Sequence, residues 1–202
     1  MHIGPKYKIA KRLGAGVFDK TQTQKFQLSE ARSQKKRGRF GAKSEFSRQL
    51  LEKQKVRVSY YVTERQFKNY VKSAMDLGGT NPAETLFTSL ETRLDNVIYR
   101  MGLAPTRQAA RQMVSHGHIL LNGRRVSIPS ATVAKGDMVG VRVGSRGSAM
   151  FVILPEKLKD FKSPSWVSFD VQKLEGKVES LPKYERASHH FDLSPVLEYY
   201  SR

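Results

Sequence analysis

The sequence predicts an α+β protein: helices fill its first half, and a small, mostly antiparallel sheet follows two further helices. Three observations predict it. Apolar residues recur at helical spacing from Glu45 onward, and two capping signals mark fresh helix starts downstream. Asn122-Gly123 sits between two apolar runs, a hairpin signal because both turn positions tolerate φ > 0. The chain has 202 residues, enough for one large domain or two small ones.

Taken in order, Met1 to Lys43 is poor in periodic apolar residues and rich in Lys, Arg, Gln, Ser and Gly. It reads as a basic arm (residues 1–44), and its run Gln34-Lys35-Lys36-Arg37-Gly38-Arg39-Phe40-Gly41 is typical of segments that fold only against RNA. Such an arm is expected to be separable, so that deleting Met1 to Lys43 leaves a folded core. From Glu45, Phe46, Leu50 and Leu51 form an apolar stripe with Arg48, Lys53, Lys55 and Arg57 opposite. Thr63-Glu64-Arg65-Gln66 is a capping box opening a helix that buries Phe67, Val71, Ala74 and Met75 and stops at Gly78-Gly79. Asn81-Pro82-Ala83-Glu84 opens the next, whose stripe runs through Leu86, Leu90, Leu94, Val97, Ile98 and Met101, interrupted at most near Glu91.

Gly102 turns the chain, and Thr106 caps a helix over Arg107 to Ser115 that buries Ala109, Ala110, Met113 and Val114. Ile119 to Leu121 and Val126 to Ile128 form the hairpin about Asn122-Gly123. Met138 to Val143 and Trp166 to Asp170 read as further strands, and the tail from Leu181 is irregular until Val196 to Tyr200.

Charge narrows the function. The formal net charge is +18, a self-repulsion that makes sense when a polyanion neutralises it. The first 57 residues hold 16 Lys and Arg against 4 Asp and Glu, so +12 of the total lies there. A membrane-surface role would need an amphipathic helix with a strong apolar face, and glycines and scattered aromatics stand in its place; nucleic acid is the preferred partner. No run of about 20 apolar residues exists to span a membrane, and Met1 to Arg12 lacks the apolar core of a secretory signal, which points to a cytosolic or organellar protein. Cysteine is absent, which excludes disulfides, thiolate zinc and a cysteine nucleophile. No Gly-rich phosphate loop, Ser-His-Asp set or paired acids are visible; no catalytic residue, cofactor or metal is expected.

The candidate interface is a set of cations between Leu90 and Arg125. Arg93 and Arg100 are seven residues apart, so on one helix they project within about 20° of each other. Arg107 and Arg111 share a face of the following helix, His116 and His118 stand at its exit, and Arg124-Arg125 leave the hairpin turn, where Asn122-Gly123 lets a backbone come close. An array of this kind suits phosphates spaced along RNA, with Arg preferred for bidentate contact. Each arginine alone has a second reading, a salt bridge of Arg93 with Glu91 or Asp95, or Arg100 capping a helix C-terminus. His189-His190 lies in a polar stretch and reads as solvated.

The segment LETRLDNVIYRMGLAPTRQAARQMVSHGHILLNGRRV resembles the signature of the RNA-binding domain of the small-subunit ribosomal protein four family, of the bacterial and organellar type. QLLEKQKVRVSYYVTERQFKNYV is similar to that family's helical domain, and GPKYKIAKRLG and LEYYSR to its ends. The resemblance implies a helical domain over 45–90 joined by the C-terminal tail 180–202. Into it is inserted an RNA-binding domain, 91–179, with two helices packed on a small sheet. It implies a non-catalytic primary binder of 16S ribosomal RNA at a 5′-domain junction that nucleates assembly of the subunit body. Contacts with ribosomal proteins five and three, a place at the messenger RNA entry and a cytoplasmic location are implied too. Its RNA-facing positions fall on Arg93, Arg107, Arg111, His116, His118, Asn122 and Arg124, with Lys53, Lys55, Arg57 and Arg65 from the helical domain. Lys35, Lys36, Arg37, Arg39, Arg100 and Arg125 join them on charge and place.

Two departures stand out. Many family members bind zinc through four cysteines near the N-terminus, and this chain has none, so its arm is expected to be ordered by RNA. The glycine- and histidine-rich turn of many relatives is replaced by Lys35-Lys36-Arg37-Gly38-Arg39-Phe40-Gly41, and the tail His189-His190-Phe191-Asp192-Leu193-Ser194-Pro195 is also unusual. Two rivals use the same small module: pseudouridine synthases or tRNA synthetases, which need a separate catalytic domain, and free-standing RNA-binding factors, which lack the TERQFKNYV domain.

Overall fold

A computed structural model describes residues 3–36, 44–77, 81–158 and 161–201. The helices run α1 Lys6–Leu13, α2 Gln24–Lys36, α3 Glu45–Ser59, α4 Glu64–Asp76, α5 Pro82–Glu91, α6 Leu94–Arg100 and α7 Arg107–Ser115. The strands β1 Ile119–Leu121, β2 Arg124–Arg125 and β3 Met138–Val141 come next. Short helices α8 Ala149–Val152 and α9 Leu154–Leu158, strands β4 Val167–Asp170 and β5 Glu175–Val178, and helix α10 Ser194–Tyr200 complete the α+β chain. Two compact units result, Met1–Leu86 with Tyr184–Arg202, and Phe87–Lys183.

In the first unit, much of the expected arm is helical, a correction with a clear cause. Leu13 and Val17 bury against Val58, with Ile9, Phe18 and Leu51 packed around them. Phe26 of α2 is fully buried and its ring lies 5.5 Å from that of Tyr7, while Lys11 Nζ donates to Ser33 Oγ at 2.7 Å, tying α1 to α2. A few apolar anchors spaced by Lys and Arg suffice, although they leave little periodicity to read.

Helix α3 starts where Ser44 Oγ accepts from the Ser47 N–H at 3.3 Å. Its buried face is not the expected stripe. Phe46 is exposed, and Gln49, Lys53 and Val56 are buried, because α10 lies along that side. Gln49 Nε2 donates to Glu198 Oε2 at 2.9 Å, and the Phe46 and Tyr199 rings are 5.6 Å apart. In α4 the Thr63 hydroxyl accepts from the Gln66 N–H at 3.3 Å, as the capping box requires. Phe67, Val71 and Ala74 are buried, whereas Met75 is exposed. Gly78 and Gly79 lie outside the described residues.

Asn81 Oδ1 accepts from the Glu84 N–H at 3.3 Å and opens α5. The long stripe then breaks at Thr92-Arg93. Arg93 is extended (φ −65°, ψ 138°) and bridges Thr132, while Val133 N–H donates to Thr92 O and Leu94 N–H to Ala131 O, both at 2.9 Å. Backbone partners from the 131–133 segment outcompete continued helix here, so Arg93 and Arg100 do not share one helix.

Thr106 caps α7 by accepting from the Ala109 N–H at 3.1 Å. Leu94, Val97 and Ile98 of α6 and Ala110, Met113 and Val114 of α7 meet Ile119, Val139, Val141, Val167 and Val178 of the sheet in one core. The strand order is β2-β1-β3-β5-β4, each pair antiparallel. Asn122 (φ 51°) and Gly123 (φ 78°) make the predicted turn. The returning strand is Arg124–Arg125, not Val126 to Ile128, which leaves the sheet toward the start of α6, where Asp95 N–H donates to Pro129 O at 3.0 Å. The expected strand to Val143 stops at Val141, and Val143 is exposed. Strand β5 was not predicted, since Glu-Gly-Lys-Val has no apolar run. Its Gly176 admits no side chain, for a Cβ there would lie 2.7 Å from Ser168 O and 2.8 Å from Met101 Sδ.

Candidate nucleic-acid interface

At the junction of α5, α6 and α7, two buried carboxylates organise four arginines. Arg93 is 1% exposed and grips Asp95 with both arms, Nε to Oδ1 at 3.0 Å and Nη2 to Oδ2 at 2.7 Å. Arg111 Nε reaches the same carboxylate at 3.3 Å. Arg100 grips Glu91 in the same two-armed way, at 2.8 and 2.6 Å. Asn96 Nδ2 donates to Glu91 Oε2 at 2.8 Å, and its Oδ1 accepts from Arg107 Nε at 2.7 Å. The Arg107 guanidinium stacks 4.4 Å over the Tyr99 ring.

Four formal positive charges thus stand on two negative ones. For Arg93 the salt-bridge reading holds: its guanidinium is buried inside the fold and taken up by Asp95. Arg100, Arg107 and Arg111 keep partly exposed side chains, at 26%, 18% and 20%. Their carboxylates fix the guanidinium positions in advance, so presenting them to a phosphate forfeits little side-chain entropy.

The hairpin end differs. Arg124 and Arg125 are exposed, and Arg125 lies across Gly117, where a Cβ would stand 2.2 Å from its Nε. The His116 and His118 rings are 6.0 Å apart, and His118 Nδ1 is hydrogen-bonded to Ser145 Oγ at 2.9 Å. Asn122 is occupied structurally, its Nδ2 donating to Asp137 Oδ1 and its Oδ1 accepting from the Met138 N–H, both at 2.9 Å. Arg142, which sequence reasoning missed, donates its backbone N–H to His118 O at 2.8 Å. Its place directly after the β3 strand was the available signal. Among the described residues, Arg124, Arg125 and Arg142 have no carboxylate partner.

The first unit sorts its cations similarly. Lys53 is a correction: buried, it donates to Glu64 Oε1 at 2.7 Å and sits 4.4 Å from the Tyr199 ring, holding α3, α4 and α10 together. Lys55 pairs with Glu52 at 2.6 Å. Arg57 Nη2 donates to Gln54 Oε1 at 2.9 Å, and its Nε is 3.6 Å from Glu64. Arg65 is exposed, and Lys68 and Lys72, three and seven residues on, continue its face of α4. That spacing was readable and was passed over. The side chains of Lys35 and Lys36, and Arg37 and Arg39 entirely, lie outside the described residues. His189 and His190 are not simply solvated: the His189 ring stacks between Tyr184 and Phe191, at 5.8 and 5.3 Å, and His190 Nε2 is hydrogen-bonded to Ser59 Oγ at 2.8 Å.

Two family models match adjoining parts of the chain. Residues 1–91 match the ribosomal protein S4/S9 N-terminal domain, and residues 92–139 match the S4 domain. The small ribosomal subunit protein uS4 of Shewanella loihica is 42% identical over 205 residues, spanning all of this chain and 98% of that protein. Its counterpart in Herpetosiphon aurantiacus is 41% identical over 209 residues, spanning all of this chain and 99% of that protein. By the match of two adjoining family models and by full-length identity above 40%, this chain belongs to the small ribosomal subunit protein uS4 family.

Proposed function

We propose that the protein is a ribosomal RNA-binding constituent of the small ribosomal subunit, engaging 16S RNA with the cations of α6, α7 and the hairpin. It is a structural protein, not an enzyme. The observation that carries the reading is the arginine array held by Glu91 and Asp95: four arginines on two carboxylates leave a fixed surplus of positive charge, to which the exposed Arg124 and Arg125 add. Arg100, Arg107, Arg111, His116, His118, Arg124 and Arg125 are its RNA-facing residues, and Arg65, Lys68 and Lys72 form a second basic face in the helical unit. Asn122 contributes by shaping the turn.

The finer reading follows the family resemblance. The protein recognises a junction in the 5′ domain, nucleates assembly of the subunit body, meets ribosomal proteins five and three beside the messenger RNA entry, and works in the cytoplasm. A-form grooves offer little sequence readout, so shape at a junction is the feature such an array would select. Binding to a 5′-domain transcript across a salt series, with scrambled RNA as competitor, tests this. Selective binding that survives competition is expected; equal, steeply salt-sensitive binding to both RNAs would reduce the protein to a nonspecific cation.

A further inference from the structure

Each arginine around Glu91 and Asp95 has an acid partner, and the cluster at the exit of α7 has none among the described residues. His118 is faced by His116 from the end of α7, Arg125 from β2, Arg142 following β3, Ser145 from the 3-10 turn Val143–Ser145, and Phe151 from α8. The Phe151 ring stands edge-on at 6.1 Å and is buried. None of these neighbours is an acid. Among the described residues Arg142 Nε has no hydrogen-bond partner although it is buried, so its guanidinium charge is not neutralised locally. The Arg125 guanidinium is laid over Gly117 (φ 72°), which immediately precedes His118 and whose missing side chain makes that approach possible.

Resting on the RNA-binding reading above, we infer that His116, His118, Arg125 and Arg142 form a seat for one backbone phosphodiester of the bound RNA, and that filling it draws a proton onto His118. The chemistry is direct. Burial first, then the charges of His116, Arg142 and Arg125, hold His118 below the usual histidine range, so in the free protein the imidazole is biased toward its neutral form. A phosphodiester anion that accepts from the exposed Arg125 guanidinium, within the field of Arg142, cancels the repulsion and favours the imidazolium. The group's affinity for protons is higher in the complex than in the free protein, so by linkage RNA binding strengthens as pH falls through the histidine range.

The test uses the full-length chain and the 5′-domain transcript at fixed salt. The His118 ring is titrated by proton NMR with and without RNA, and affinity is measured from pH 8 to 5.5. The titration midpoint should rise on binding, with affinity gaining about tenfold for each unit of that rise. His118→Gln should bind with much of this pH dependence gone. Arg142→Gln should weaken binding about tenfold and lower the salt slope by about one contact. Arg125→Gln, on an exposed strand, carries the same expectation should the Arg142 variant fail to fold. Inorganic phosphate alone should move the His118 midpoint far less than RNA; an equal movement at millimolar phosphate would overturn the assignment to a backbone phosphodiester. Wild-type affinity with no proton uptake, together with Arg142→Gln and Arg125→Gln binding unchanged, would overturn the seat. Equal binding to scrambled RNA, with uptake and the arginine losses intact, would sink the ribosomal reading and leave the seat standing.

Discussion

Arg93 shows what a charged side chain does when the fold claims it. Its guanidinium is buried, and Asp95 satisfies it with two hydrogen bonds while also holding the outer arginine, Arg111. Removing the carboxylate leaves a buried cation with no counter-charge, so Asp95→Ala should cost about 3–5 kcal/mol of unfolding free energy, measured by urea titration. Arg111→Ala removes a partner from a carboxylate that Arg93 still satisfies, and should cost about 1 kcal/mol or less. Similar losses for the two variants would mean that Arg93 is not the buried member on which the pair depends. The spacing of the arginines was legible in the sequence, as was the alternative of a salt bridge. Which arginine belongs to the interior was not, because that turns on the helix break at Thr92-Arg93, and the break is set by backbone bonds to residues 131–133, some forty positions away.

Among the elements, α10 is anchored to the first unit by a titratable group. Glu64 accepts from Lys53 Nζ and from the Tyr200 hydroxyl, each at 2.7 Å, and the Tyr200 ring meets Phe67 edge-on. Burial alone would raise the Glu64 pKa, but the hydrogen bonds from Lys53 and Tyr200 and the charge of Arg57 bring it below the ordinary 4.5, while burial and Glu64 itself push Tyr200 far up. A carboxylate with a depressed folded pKa adds stability that is fully present above its unfolded value and is lost as pH falls through the folded one. Wild type should therefore lose stability relative to Glu64→Gln as the pH drops below about 4.5, with the gap largest at neutrality; parallel curves in thermal or urea unfolding would show that Glu64 does not fasten the helix. Helix starts such as Thr63 and Thr106 were legible because capping is local chemistry. The buried side of α3 was misread because Lys53 and Gln49 are polar, and their burial depends on α10, 140 or more positions downstream. Strand β5 escaped for a related reason: its glycine, Gly176, is dictated by the neighbours Ser168 and Met101, which leave no room for a Cβ.

For the molecule as a whole, charge and core pull the N-terminal residues in different directions. Met1 to Lys43 carries 12 Lys and Arg against 2 Asp and Glu, so removing it takes away +10 of the net +18 and relieves self-repulsion. On charge alone that truncation would be harmless to folding. The structure argues otherwise, because α1 and the turn after it supply Leu13 and Val17, the residues that cover Val58 on α3, and His190 lies close against Gly16. Uncovering Val58 alone costs about 1.5–3 kcal/mol, and losing the packing of Phe26 and Tyr7 removes the α1–α2 pair with it. A chain beginning at Ser44 should thus show two changes together: a shallower dependence of RNA affinity on salt, from lost phosphate contacts, and weaker protection of α3 amides in hydrogen exchange. The amides of α6 and α7, which draw on a separate core, should keep their protection. A shallower salt slope with α3 protection unchanged would return the segment to the role of a detachable basic arm, with its helices contributing nothing to the fold that carries them.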